Sequence, residues 1–264
     1  MGSKLTVLVP IYDEINLIEN FTKKLLHVFQ NSSTKFIFID DGSKDSSYKI
    51  AKEFKGIKAY KKKRKKSKAK FNTFFQIDTY IYAYKKSKGS ILACLDSDDF
   101  FKKNKIMDIV KNFNKDKKAN ILFDKPIIYY SKKKYFLSDN FKNSRDRKIW
   151  PKFPPTSCIS LRRNFFKKII YELNLKKFPL LTIDFRLAVI SKILFNNFKI
   201  INNHLTFYFQ DKKGESNSNF KKFGKNWWSR RMQAHEYMVY LFKKNKIKYK
   251  NLDFFLTKTI NLFF

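Results

Sequence analysis

Apolar and polar positions in the first hundred residues switch between two spacings. "KLTVLVPIY" (4–12) is a continuous apolar run ending near a proline, which predicts a parallel strand buried on both faces. Residues 14–30 then carry Ile15, Ile18, Phe21, Leu25, Leu26 and Phe29 at helical spacing. "KFIFID" (35–40) predicts a second strand, "SSYKIAKEF" (46–54) a short helix and "IKAYK" (57–61) a third strand. The lysine run 61–70 predicts an exposed loop, followed by a helix through about Lys86 and a fourth strand at 90–96. Strands alternating with helices imply right-handed crossovers and a parallel sheet covered on both faces. Ligands of such sheets bind beyond the carboxyl ends of the strands.

After residue 115 the pattern is less regular. "ANILFDKPIIYY" and "KKYFLSDNF" predict strands, antiparallel to each other, and 142–157 predicts a long polar loop. "CISLRR" predicts a strand and 164–174 a helix; Thr182 is placed to cap a helix over 183–196. "FKIINNHLTFYF" predicts a strand containing His204, which reads as structural; 210–226 predicts a mobile loop and 227–244 a helix. The apolar tail "NLDFFLTKTINLFF" would pack on the core, on another subunit or on a membrane.

Composition narrows the class. The 264 residues include 30 Phe and are 43% hydrophobic, enough for a large core. Lys+Arg total 58 against 22 Asp+Glu, a formal charge of +36 that attracts nucleic acid, anionic membrane or phosphorylated substrates. Only eight of the 58 are Arg, and specific readers of bases and phosphates favour Arg, so no specific nucleic-acid partner is expected. Cys94 and Cys158 form no metal or redox motif, and a reducing cytoplasm fits them. No apolar run reaches the roughly 18 residues of a membrane span, and no signal peptide is expected. "MGSKLT" matches a myristoylation pattern in form, but Leu5 already opens a buried strand.

Against this basic background the acids stand out. Asp13 and Glu14 follow the first strand, Asp40 and Asp41 the second, and Asp96, Asp98 and Asp99 the fourth, so all fall on one sheet edge. Clustered carboxylates repel one another unless a cation or a donor-rich ligand offsets them, and a hard divalent cation with a phosphate-bearing ligand would do so.

The segments "TVLVPIYDE", "FIFIDDGSKDSS" and "KGSILACLDSDDFF", in this order over roughly the first 115 residues, resemble the N-terminal blocks of family 2 glycosyltransferases. The resemblance implies a GT-A fold: an α/β, Rossmann-like, mainly parallel sheet flanked by helices, with a mixed C-terminal part. Residues 1–115 would form the nucleotide-sugar-binding part and 116–264 the acceptor-binding part of the same domain. It implies transfer of a sugar from a nucleotide diphosphate donor, a UDP-sugar first, with inversion and Mn²⁺ or Mg²⁺. The acceptor would be a glycan or a lipid-linked molecule, as in polysaccharide biosynthesis; the +36 charge and apolar tail would suit the second through peripheral contact at the inner face of an anionic membrane.

The same resemblance assigns residues. Tyr12 would stack on the donor base with Pro10 shaping the turn, and Asp41 would accept hydrogen bonds from uracil or ribose, leaving Asp40 structural. Glu14 and Ser97 join the nucleotide-sugar set, although Asp13 and Glu14 also suit a helix N-terminus. In "DSDD", Asp96 would face the ribose and Asp98 would hold the metal. Asp99 would stand behind Asp98 or bind the metal through water; the plainer reading of the cluster is a cap for a helix starting near Lys102. Many members carry an Ala-Arg-Asn triplet before the "KGS" turn; here 65–144 lacks Arg, and Gln76 and Asp78 either replace those contacts or form an exposed face. A lysine from 61–70 would supply charge to the diphosphate.

An inverting displacement needs a base, and Asp184 in "LLTIDFRL" occupies the family's place for it, although Ile183 stands where the family often has a preceding acid; Arg186 is nearby, and Glu172, Asp211 and Glu215 are substitutes. The plainer reading of Asp184 is an acid favoured by the helix dipole. Ser157 would touch donor or acceptor. Arg230 and Arg231, with Lys221 and Lys222, would clamp the diphosphate or form a solvated basic face. Two rival readings are a sugar nucleotidyltransferase and a basic module for nucleic acid or membrane. The first needs a Gly-rich basic loop after the first strand; the second leaves the acids unexplained.

Overall fold

The computed structural model describes residues 4–29, 34–64, 73–130, 133–136, 141, 152–210, 220–249 and 251–264. Strand β1 (Leu5–Ile11) lies between β2 (Lys35–Asp40) and β4 (Ile91–Cys94), and β3 (Ile57–Lys61) extends the sheet beyond β2; all these pairings are parallel. The second half is mixed. β8 (Ile159–Arg162) runs antiparallel to both β4 and β6 (Ile121–Tyr130), and β7 (Lys133–Phe136) runs antiparallel to β6. β9 (Ile200–Gln210) lies parallel to β6, and the short β5 (Phe100–Phe101) pairs antiparallel with its far end. The order is β3-β2-β1-β4-β8-β6-β9-β5.

Alternation along the strands fills two layers. Leu8, Ile37, Ile39, Leu92 and Cys94 face a core shared with α3 (Thr73–Lys86), α5 (Arg163–Leu173), α6 (Ile183–Ile193) and α7 (Lys225–Lys244). Val7, Val9, Phe36, Phe38 and Ala93 face the other core, with α1 (Ile18–Phe29) and α4 (Lys105–Lys115); α2 (Ser47–Glu53) adds Ala51 there. Each fully buried aliphatic or Phe side chain contributes roughly 1.5–3 kcal/mol, so β1, β2 and β4 are fixed by burial from both sides. Gly89 is required at the turn into β4, because a Cβ there would sit 2.5 Å from Thr6 Oγ1.

Five local expectations change. α1 begins at Ile18 rather than 14, because Asp13 adopts a left-handed backbone (φ 52) and the N–H groups of Leu17 and Ile18 both close on Glu14 O. Ile15 is therefore outside the helix and exposed. Strand four stops at Cys94; after the acidic turn the chain forms β5, and α4 starts at Lys105 rather than near Lys102. The helix after Thr182 ends at Ile193, before Asn196 turns left-handed (φ 48). The lysine run 61–70 is not a uniformly exposed loop, since Lys62 is buried; residues 65–70 lie outside the described set. So do 142–151 and 211–219, which hold most of the two predicted loops.

The tail forms α8 (Leu252–Ile260) and a terminal 3₁₀ turn, Asn261–Phe263. Asn251 caps α8 by accepting the Asp253 N–H at 2.9 Å. Among the described residues no helix is long and apolar enough to cross a membrane.

Candidate functional site

Parallel register brings the ends of β1, β2 and β4 to one edge, and a cleft of about 450 Å³ opens there. That volume is typical of small-molecule sites. Backbone groups lace the three loops together. The N–H groups of Asp13 and Glu14 donate to Ser43 Oγ (3.0 Å) and Ser47 Oγ (2.8 Å), and Lys44 N–H donates to Asp13 Oδ1 at 2.8 Å. Ser97 Oγ donates to Glu14 Oε1 at 3.0 Å, tying the third loop to the first.

Asp40 is internal to its turn, accepting the Ser43 N–H at 3.2 Å. The left-handed Gly42 (φ +83) lets Asp41 turn toward the cleft, and a Cβ at 42 would press on Arg64 Cβ at 3.1 Å. Asp41 pairs with Lys62 Nζ at 2.6 Å, and the same ammonium donates to Asp78 Oδ2 at 2.9 Å. Burial raises the pKa of Asp41, and Lys62 and Arg64 oppose the shift. Arg64 lies over Tyr12, its guanidinium carbon 3.8 Å from the ring centroid, and 4.4 Å from that of Phe75. Lys62 and Arg64 were not singled out among the basic residues of the sequence. Their only signal is position, directly after β3 and opposite Asp41.

The acidic turn after β4 is the most charged part of the cleft. Asp96 Oδ1 accepts from Gln76 Nε2 (3.0 Å) and Tyr80 OH (2.9 Å), while its N–H donates to Ser157 Oγ at 2.9 Å. Burial, then the charge of Asp98, pushes the Asp96 carboxyl up to about 7. Asp98 opens onto the cleft, and the enclosing walls raise its pKa. Asp99 faces inward, fully buried; its Oδ1 accepts the Phe209 N–H at 2.9 Å. Burial and its two neighbouring acids push it well above the carboxylate range.

Below this turn lies a buried lysine. Lys105 Nζ donates to Asp124 Oδ2 (2.6 Å), Ser157 O (2.7 Å) and Thr206 Oγ1 (2.6 Å). It thereby joins α4, β6, β9 and the 3₁₀ turn Thr156–Cys158 beneath Asp96. Sequence reading missed it because a lysine among lysines looks solvated.

The opposite wall comes from the C-terminal half. Thr182 precedes α6, and Asp184 in its first turn faces the cleft, where its Oδ1 accepts the Phe185 N–H at 2.7 Å. Burial raises its pKa, with Thr182 and Arg230 pulling it down. Tyr208, Phe209 and Gln210 at the end of β9 close the wall, and no sequence signal beyond strand length marked them.

Most of the expected site residues converge. Pro10, Tyr12, Glu14, Asp41, Gln76, Asp96, Ser97, Asp98 and Asp184 line one cleft. Asp78 and Asp99 stand behind the lining, on Lys62 and on Phe209. Ser157 is buried under Asp96. Arg230 reaches Thr182 Oγ1 (3.4 Å) and covers the Phe220 ring, which lines the cleft. Arg231 points elsewhere, pairing with Asp253. Arg186 is fully buried and donates to the carbonyls of Leu173, Leu175 and Leu181, fixing the approach to α6. Glu172 is buried with Lys244 as partner, away from the cleft, and Asp211 and Glu215 lie outside the described residues.

The cleft has carboxylates and amide oxygens and no described Cys or His, which suits a hard cation such as Mn²⁺ or Mg²⁺. Among the described residues no set of three or more acids, His or Cys is arranged to hold an ion by itself. A cation here would need ligand oxygens to complete its shell, and the upward-shifted acids at 96, 98 and 99 are the groups it would relieve.

Known structures share this architecture. S. aureus TarS residues 1–349 in complex with UDP-GlcNAc superimposes with a TM-score of 0.59 at 14% identity, over 89% of this chain and 66% of that one. A mannosyltransferase from Pyrobaculum calidifontis, in complex with GDP-Man and Mn²⁺, gives 0.53 at 13% identity, over 96% and 66%. The fold is thus GT-A-like. Residues 6–171 match the model of Glycosyl transferase family 2, and the chain belongs to that family. An uncharacterised glycosyltransferase of Mycoplasma genitalium is 29% identical over 174 residues, covering 64% of this chain. The match spans 57% of that relative's length.

Proposed function

We propose that the cleft binds a nucleotide diphosphate sugar, a UDP-sugar first, and transfers the sugar with inversion to a hydroxyl of a glycan or lipid-linked acceptor. The observation that carries this reading is the meeting, in one cleft, of Tyr12, Asp41, Asp96 and Asp98 from three strand ends with Asp184 on the opposite wall. Support comes from the ligands named for the two solved neighbours, UDP-GlcNAc and GDP-Man with Mn²⁺.

In this reading Tyr12 and Asp41 hold the base and ribose, and Arg64, which lines the cleft beside both, would face the donor's negative charge. Asp98, with Asp99 behind it, would hold Mn²⁺ or Mg²⁺, and a bound cation would stabilise charge developing on the departing diphosphate. Asp96, fixed by Gln76 and Tyr80, faces the donor ribose. Asp184 takes the acceptor hydroxyl's proton as that oxygen bonds to the anomeric carbon. The bond from that carbon to the diphosphate oxygen breaks, and its electron pair leaves with the nucleotide. The raised Asp184 pKa makes the carboxylate a better proton acceptor than an exposed Asp.

The rivals fare worse on the same observations. The turn after β1 has no glycine and no basic residue, so it makes no nucleotidyltransferase loop. A nucleic-acid groove would not be lined by Glu14, Asp41, Asp96, Asp98 and Asp184. Calorimetry with UDP, GDP and duplex DNA, each with and without Mn²⁺, tests the proposal. Metal-dependent nucleotide binding supports it; metal-independent, salt-sensitive DNA binding alone overturns it.

A further inference from the structure

We propose that α8, the terminal turn and the adjoining Phe223–Trp227 turn form a docking surface for an anionic lipid bilayer. Surface helices normally turn their apolar side inward. In α8 the inward side is already occupied: Thr257 is buried, and Phe254 packs on His235 and Tyr249 at 5.7 and 6.4 Å between ring centroids. Asp253 on that side holds Arg231 and His235. The outward side is nevertheless apolar. Leu252, Phe255 and Leu256 follow helical spacing and are 75%, 59% and 55% exposed, and Leu262 and Phe263 continue the face at 78% and 82%.

The patch does not end with the helix. Asn261 Nδ2 donates to Trp228 O at 3.2 Å, seating the terminal turn on the start of α7. There Trp228 packs edge-on to Trp227 at 4.7 Å, and both lie beside Phe223, which is 61% exposed. Large apolar side chains left exposed on two adjoining segments mark an interaction site.

Charge selects the occupant. From Phe220 to Phe264 the sequence has nine Lys and two Arg against two acids, Glu236 and Asp253; with Arg231 paired to Asp253 and Lys244 to Glu172, eight Lys and Arg230 are still set against Glu236 alone. Two copies meeting on this face would bring like charge together. Nucleic acid offers nothing to an aliphatic stripe. Aliphatic and aromatic side chains set among lysines match an anionic headgroup layer over acyl chains.

The surface adjoins the cleft. Phe220, three residues before Phe223, lines the cleft, and Arg230 lies over it. Resting on the transfer reading above, docking would deliver the cleft to a hydroxyl carried by a membrane amphiphile, which makes lipid-linked molecules the acceptor class.

Sedimentation of the full chain with vesicles tests the surface independently of activity. Vesicles of phosphatidylglycerol and phosphatidylcholine in equal amounts are expected to carry the protein down, and pure phosphatidylcholine is not. Raising salt from about 0.1 to about 0.5 M, or the double substitution Phe255→Glu/Phe263→Glu, is expected to weaken partitioning about tenfold. Wild-type protein left in the supernatant by anionic vesicles overturns the proposal, as does equal binding by the double variant. A dimer in light scattering that the double variant dissolves, without vesicle binding, assigns the face to a second copy and equally overturns it. Donor hydrolysis without vesicles, read in parallel, reports on the transfer reading alone.

Discussion

On the β1, β2 and β4 side of the cleft Asp41 and Asp96 are held by groups from other elements, whereas across it the hydrogen bonds of Asp184 come from its own helix start. Asp96 takes two side-chain donors and anchors its N–H on Ser157; Asp41 shares Lys62 with Asp78. Asp184 accepts the Phe185 N–H, with Thr182 and Arg230 as its other stabilising neighbours. A group that must bind a ligand in one orientation gains from rigidity. A group that must exchange a proton gains from a carboxylate not already saturated with donors. The contrast agrees with the division proposed above, binding on the first wall and proton transfer on the second, under which substitutions on the two walls should fail in different ways.

The largest effect is expected on the binding wall. Asp98→Ala should lower donor turnover about 10³-fold, the several kcal/mol that a cation contributes at the leaving group. Its thermal unfolding should not fall below that of wild type, since removing one of three crowded acids relieves repulsion. Turnover at the wild-type rate would remove the cation from Asp98.

Next is the far wall. Asp184→Asn should lower the rate of transfer about 10²–10³-fold while UDP affinity, read by calorimetry, stays within error. The base works only when deprotonated, and burial raises its folded pKa. The rate should therefore fall as pH drops, with an acidic limb above the ordinary Asp range near 4. Asp184→Asn should erase that limb along with the rate. Transfer that survives with the limb intact would place the base elsewhere.

The walls also differ in how legible they were in the sequence. β1, β2 and β4 read directly, because a strand buried on both faces is a continuous apolar run and its end is marked by Pro10, Gly42 or the acids themselves. Parallel register then put Tyr12, Asp41 and Asp96 on one edge without further information. Asp184 was picked out by the family resemblance, and the local signal, its place after Thr182, marked only a helix start. Tyr208 and Phe209 were not legible, because their position depends on β9 pairing with β6 and with the two-residue β5. Lys62 and Lys105 were hidden by company: in a chain of 58 basic residues, the buried ones differ only in distant partners, Asp41 and Asp78 or Asp124 and Thr206.

Lys62 gives a stability test of the rigid wall. Lys62→Met strips the ammonium from two carboxylates, Asp41 and Asp78, at a buried position. Removing one partner of a buried pair leaves uncompensated charge, and a loss of about 2–3 kcal/mol is expected in urea unfolding. The double variant Lys62→Met/Asp78→Leu should recover part of it, because one of the orphaned charges goes too. A single variant as stable as wild type would mean that Arg64 alone neutralises Asp41.

The smallest effect, and the finest division, concerns Arg64. Its guanidinium lies between the Tyr12 and Phe75 rings and 3.8 Å from Asp41 Oδ2, so it occupies one face of the ring proposed to stack on the base. A cation over an aromatic ring contributes roughly 0.5–2 kcal/mol. If Arg64 keeps that place beside the bound nucleotide, it screens the acids from an anionic donor and extends the stack. Arg64→Ala should then weaken UDP binding about fivefold. Arg64→Lys should restore only part, since an ammonium keeps the charge but lacks the planar guanidinium. Tighter binding by Arg64→Ala would reverse the assignment: Arg64 would then be a plug that the base must displace, and the binding wall would be less preorganised than its hydrogen bonds suggest.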